Sequence, residues 1–146
     1  MTLTQPEAPT STQRMSTPVT SWMPFAVALT AALALAVFIL LPFYANGLHH
    51  LPLDEVAGGA HDPKDLWPVA GGSAFAGLFR LCGMLTLVTA PFVAVGCALY
   101  GGYAVWRHRA DRSRWLPDAL TVALGVGVLG WLATPTARAI GTWFMD

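Results

Sequence analysis

The sequence predicts an all-α integral membrane protein with three transmembrane helices, the N-terminus inside and the C-terminus outside. Three observations carry that prediction. Of 146 residues, 55% are hydrophobic and only 11% are charged, against about 25% charged in an average soluble domain. The apolar residues fall into three long runs. The basic residues collect in one of the two connections between those runs. A soluble chain this apolar, with eight Lys+Arg balancing eight Asp+Glu, would associate through its surface. The same balance leaves no basic face for nucleic acid, so none is expected as a partner.

Residues 1–21 hold six Thr, three Ser and three Pro. Nothing there can bury a core, and a disordered cytoplasmic tail is expected. Residues 22–146 are expected to form one three-helix domain. Its first helix, about 23–44, has 22 residues without a charge. That is about 33 Å of helix against a hydrocarbon layer of about 30 Å. The run is too long for the core of a signal peptide, and no small-residue cleavage pattern follows it, so it reads as an uncleaved anchor. Pro42 stands at its expected end, and Asn46-Gly47 stop it.

The extracytoplasmic loop between helices 1 and 2, residues 45–73, is rich in turn residues. Pro52 to Val56 suggests a short helical turn ended by Gly58-Gly59, and Asp62-Pro63 a second one with a cap and a first-turn proline. Helix 2 is expected over about 74–107. Its stretch Leu81–Trp106 runs 26 residues without a charge. The whole helix exceeds about 50 Å, so it must tilt or bend. Pro91 is the natural bend because it frees the Leu87 carbonyl, and Thr86 and Thr89 lie close enough to compensate. A basic turn follows, and helix 3 is expected over about 117–137, with Pro117 in its first turn.

Orientation follows from charge. Arg107, Arg109, Arg112 and Arg114 supply four of the eight basic residues, whereas loop 45–73 has Lys64 against four acids. The positive-inside rule places the basic turn in the cytoplasm. The aromatic residues fit: Trp22, Trp106 and Trp115 would mark the inner interface, and Tyr44, Trp67 and Trp143 the outer one. Seven Arg against one Lys suggest a bacterial source, hence a bacterial plasma membrane.

Arg80 lies about 39 Å of helix from Trp106, and Arg138 about 30 Å beyond Asp118, so both fall at the outer boundary. The middle of each expected span has no Asp, Glu, Lys, Arg or His. Ion-coupled transport and proton relays rely on such groups, and a b-type haem needs axial histidines. No cofactor is therefore expected.

Several motifs carry groups capable of chemistry. His49, His50 and His61, with Asp54, offer metal-ligating groups in the outer loop. Their spacing matches no metal motif, and a solvated polar loop explains them. Ala90, Ala94, Ala98 and Gly102 recur at i+4 on helix 2, as do Ala28, Ala32 and Ala36 on helix 1 and Ala119, Ala123 and Gly127 on helix 3. Such stripes let helix backbones approach closely. Gly125, Gly127 and Gly130 match a dinucleotide-binding pattern, but inside an apolar span they read as helix packing. The four arginines of the basic turn could also meet anionic headgroups. Cys82 and Cys97 are too far apart on one helix to pair.

No catalytic set stands out, so the chain is expected not to be an enzyme. The expected function is that of an accessory or scaffold subunit of a membrane complex. Its partners would be the lipid bilayer and either other membrane subunits or copies of itself. One alternative is a small homo-oligomeric pore or permease with Thr30, Thr86, Thr89, Thr121 and Thr134 along its path. Another is an outer-face metal-binding or sensor protein.

Overall fold

A computed structural model describes residues 19–58, 61–70 and 72–145. Each charge-free apolar run is helical, as its Ala and Leu content favours. Helix α1 (Val19–Leu35) continues through one π-helical turn, Ala36–Leu40, into α2 (Leu41–Ala45). Pro42 explains the wide turn. It has no N–H to give, and its ring crowds the carbonyl one turn back. The helix opens there by one residue, so that the Leu41 amide reaches the Ala36 carbonyl. Pro42 therefore lies inside the helical run and does not end it. The end comes at Ala45, followed by Gly47 in the left-handed region with φ 73°, where glycine is the natural occupant.

The connection 46–73 folds as short turns around α3 (Leu53–Ala57) and a 3₁₀ turn at Pro63–Asp65, close to the turns expected. Ser73 then caps α4 (Ala74–Arg107), its hydroxyl accepting from the Ala76 amide at 3.2 Å. Pro91 is accommodated within this unbroken helix. Thr86 and Thr89 do not bridge to the freed carbonyl; they donate to the Cys82 and Leu85 carbonyls.

The third helix differs from expectation at both ends. It is α5 (Arg112–Leu132), followed by a separate helix, α6 (Pro135–Met145). It starts early because Asp111 caps it: the Asp111 carboxylate accepts from the Ser113 amide at 3.1 Å. It stops early because Thr134 serves two helices. The Thr134 hydroxyl donates to the Trp131 carbonyl at 2.7 Å and accepts from the Ala137 amide at 3.2 Å. Pro135 sits at the first position of α6, where a missing N–H is harmless. The expected single helix over 117–137 is thus corrected to two.

Helices α1, α4 and α5 pack against one another, and α3 packs on α6. The largest apolar core lies at the end of the bundle that carries the 46–73 connection, here called the loop end. Leu35, Ile39, Phe43, Leu48, Val56, Ile140, Trp143 and Phe144 are all buried there. At the opposite, basic end the helices approach through small residues. On α4 the buried line is Ala90, Ala94, Cys97, Gly101 and Ala104; on α5 it includes Pro117, Thr121 and Gly125.

Ala90 and Ala94 of the expected stripe are buried, and Ala98 is half-buried beside them. Gly102 and Gly127 are corrections. Both are exposed, with open space where a Cβ would stand. Two helices crossing at a shallow angle meet along positions spaced alternately four and three apart. A strict i+4 series drifts off that seam, so the contact glycines are Gly101 and Gly125.

The tail expected over 1–21 lies outside the described residues except at 19–21, which are helical.

Candidate functional site

Titratable residues gather at two places, one at each end of the bundle. The first is the tight turn between α4 and α5. Asp118 is 5% exposed, and its carboxylate lies 2.9 Å from the His108 Nδ1. His108 caps the C-terminus of α4, so this contact fastens the turn to the second turn of α5. Arg107, Arg109, Arg112 and Arg114 are all exposed around it. Arg107 approaches the Tyr103 hydroxyl at 3.5 Å, and the Arg114 Nε lies 3.4 Å from Asp111. The arrangement is a stapled hairpin tip displaying positive charge, suited to holding anions at a surface.

Sequence reasoning missed the His108–Asp118 pair. A signal was present: an aspartate within an apolar run, across a tight turn from a histidine at a helix end.

The Ser113 hydroxyl, hydrogen-bonded at 2.7 Å, is the main cause holding the Asp111 carboxyl below its ordinary range. Desolvation, next in size, opposes it; the Ser113 amide, the Arg114 charge and the Arg114 amide act in the same direction as the hydroxyl. A lowered folded-state value means that the cap adds stability above the unfolded carboxyl's titration and loses it as pH falls through the folded one. Hydrogen exchange at 112–115 should therefore accelerate in strong acid. Asp111→Ala should show that faster exchange already at neutral pH, with no further acid step.

The second place is the loop end. Asn46 ties the connection to the bundle. Its Nδ2 donates to the Pro42 and Trp67 carbonyls at 2.7 and 2.8 Å. Its Oδ1 accepts from the Trp67 amide at 3.2 Å. One side chain thus closes a segment of more than twenty residues. Asn46→Ala should cost about 1 kcal/mol, since the two hydrogen bonds to Trp67 are exposed and water can take their place. Faster proteolysis between Leu48 and Trp67 would check it.

The metal candidates do not converge. His49 and His50 stack on each other with ring centroids 3.8 Å apart, and His49 also lies against Tyr44. His61 faces Glu55 at 3.6 Å. Asp54 joins neither group, and among the described residues no three His, Cys, Asp or Glu side chains come together. Both cysteines are free.

The candidate pore threonines bond to their own helices. Thr30, Thr86, Thr89 and Thr121 each donate to the carbonyl four residues back, and Thr134 to the one three back. These hydroxyls are spent locally. A narrow gap of about 10 Å³ where α1, α4 and α5 meet is lined by apolar residues such as Ala28, Ala94 and Gly125.

Trp143, expected at an interface, is instead 1% exposed. Its indole N–H donates to the His61 carbonyl at 2.7 Å. Trp22, Trp106, Trp115, Tyr44 and Trp67 are exposed.

The described residues thus form an all-helical chain whose helices Trp22–Ala45, Ala74–Arg107 and Arg112–Leu132 are long and apolar enough to cross a membrane. No family model, curated protein or solved structure matches the chain.

Proposed function

We propose that the chain is a multi-pass protein of a bacterial plasma membrane that serves as a non-enzymatic accessory or scaffold subunit of a larger membrane assembly. The N-terminus and the α4–α5 turn lie on the cytoplasmic side; the loop end and α6 lie outside. One observation carries the reading. Away from the loop-end core the inward faces of the three long helices meet through small residues, while many of their large apolar side chains point outward. Phe92 is 74% exposed, Leu99 71% and Met23 66%. Outward faces of this kind suit lipid tails and the helices of neighbouring subunits. The four exposed arginines at one end, and the acidic loop at the other, support the orientation.

Purification of a tagged full-length chain in mild detergent, with mass spectrometry of the intact complex, tests the function. Stoichiometric partner subunits are expected. A chain that purifies alone, or only with copies of itself, overturns the scaffold reading. The orientation is tested by introducing one cysteine at Ala57 or at Ala110 in a chain otherwise free of cysteine. An impermeant maleimide should label the first in intact cells and the second only after lysis.

A further inference from the structure

We propose that Arg80 binds the phosphate of one anionic phospholipid at the loop end of the bundle; this inference rests on the membrane reading above. The inward line of α4 continues toward its N-terminus from Ala90 through Leu87, Gly83, Arg80 and Ala76, in steps of three and four. Ala76, Gly83 and Ala90 are buried, and Leu87 is partly buried against the core. Arg80 is the one cation on this line, and it is half-buried.

Its Nε is enclosed and has no hydrogen-bond partner. No ion pair joins Arg80 to a described carboxylate; at the loop end, Glu55 faces His61 instead. The terminal nitrogens are not enclosed in this way. The stem is therefore held by the bundle while the guanidinium tip opens at the surface.

The other described arginines differ. Arg107, Arg109, Arg112, Arg114 and Arg138 are exposed, and Arg107 and Arg114 also have protein partners. The terminal nitrogens, held at an apolar surface with no described carboxylate paired to them, call for an anion.

Its level in the bilayer selects which anion. Arg80 lies about 39 Å along the helix from Trp106, beyond a hydrocarbon layer of about 30 Å and within the headgroup zone. A phosphodiester at that depth can accept from the two terminal nitrogens together.

The test uses the full-length chain, purified in detergent and reconstituted in nanodiscs of mixed phosphatidylglycerol and phosphatidylcholine, with retained lipids counted by native mass spectrometry. The wild type should keep one phosphatidylglycerol in preference to phosphatidylcholine. Arg80→Met should weaken that retention about tenfold, the loss of one charge-assisted contact. Arg80→Lys keeps the charge but not the paired donors and should keep only part of it, and Arg138→Met all of it. Millimolar inorganic phosphate should not displace the lipid.

Unchanged retention in Arg80→Met, equal retention of the two lipids by the wild type, or displacement by inorganic phosphate would each overturn the proposal. So would a stoichiometric partner whose carboxylate crosslinks to the Arg80 position while no lipid is kept. The wild-type lipid preference stands as a test even if Arg80→Met fails to fold. A chain that stays monomeric in solution after detergent removal would overturn the membrane reading as well; loss of the lipid effect alone leaves that reading intact.

Discussion

Gly125→Leu should separate α4 from α5 and leave the protein markedly less stable, whereas Gly127→Leu, two positions away, should not. The difference is geometric. A Cβ at Gly125 would stand 2.8 Å from the Ala94 carbonyl oxygen and 2.9 Å from the Ala98 nitrogen. Those atoms belong to the backbone of α4 and cannot rotate aside. Even Gly125→Ala must push the helices apart by some tenths of an ångström, at about 1–3 kcal/mol. Leucine adds three further carbons in the same place and should cost more. At Gly127 a Cβ meets nothing within 4 Å, and a leucine there should be tolerated. Thermal melting of both variants in the same detergent is the measurement. Equal melting temperatures would mean that the close approach at Gly125 is not a feature of the folded protein.

Trp143→Ala should open the loop end. Trp143 is 1% exposed and lies in the core with Phe43, Val56, Ile140 and Phe144. Deleting a buried indole typically costs about 3–5 kcal/mol, through lost contacts and the cavity left behind. The His61 carbonyl would also lose its donor at 2.7 Å. Trp143→Phe separates the two contributions: it keeps most of the apolar volume and should cost only about 1–2 kcal/mol, much of it the hydrogen bond. The expected readout is local. Proteolysis within 48–67 and hydrogen exchange in α6 should both rise in Trp143→Ala. Exchange in the middle of α4, around Ala94, should stay slow. A uniform loss of protection along all helices would instead make the loop-end core and the small-residue seam one cooperative unit.

Much of this architecture is legible before any coordinates. Charge-free runs of span length mark the three long helices because a helix satisfies its own backbone wherever water is excluded. Ser73 and the Pro52–Gly58 turn announce themselves by local chemistry. Thr134-Pro135 carried a readable signal too, a capping hydroxyl followed by a first-position proline, but the apolar residues on both sides hid it. The packing seam was half legible. Ala90 and Ala94 are buried where the helices meet, yet the choice among the small residues depends on crossing geometry, which selected Gly101 and Gly125 over Gly102 and Gly127.

The residues that gather chemistry were the least legible. Trp143 has the composition of an interface anchor. Only the fold of α6 back over the loop end buries it against Phe43. Asn46 reads as a helix stop, and only the returning chain brings Trp67 within its reach. His108 and Asp118 are ten positions apart and become partners because a turn folds two helices together.

By itself, then, the sequence determined where helices form, how long they are, and that charge is kept out of their middle stretches. Each of these depends on residues within one or two turns of each other. The tertiary structure alone decided which face of each helix is inward, which glycines touch, and which polar groups meet across the loop end. Those are distances between segments far apart in the chain, set by the angle at which helices cross and by the volume of the side chains between them.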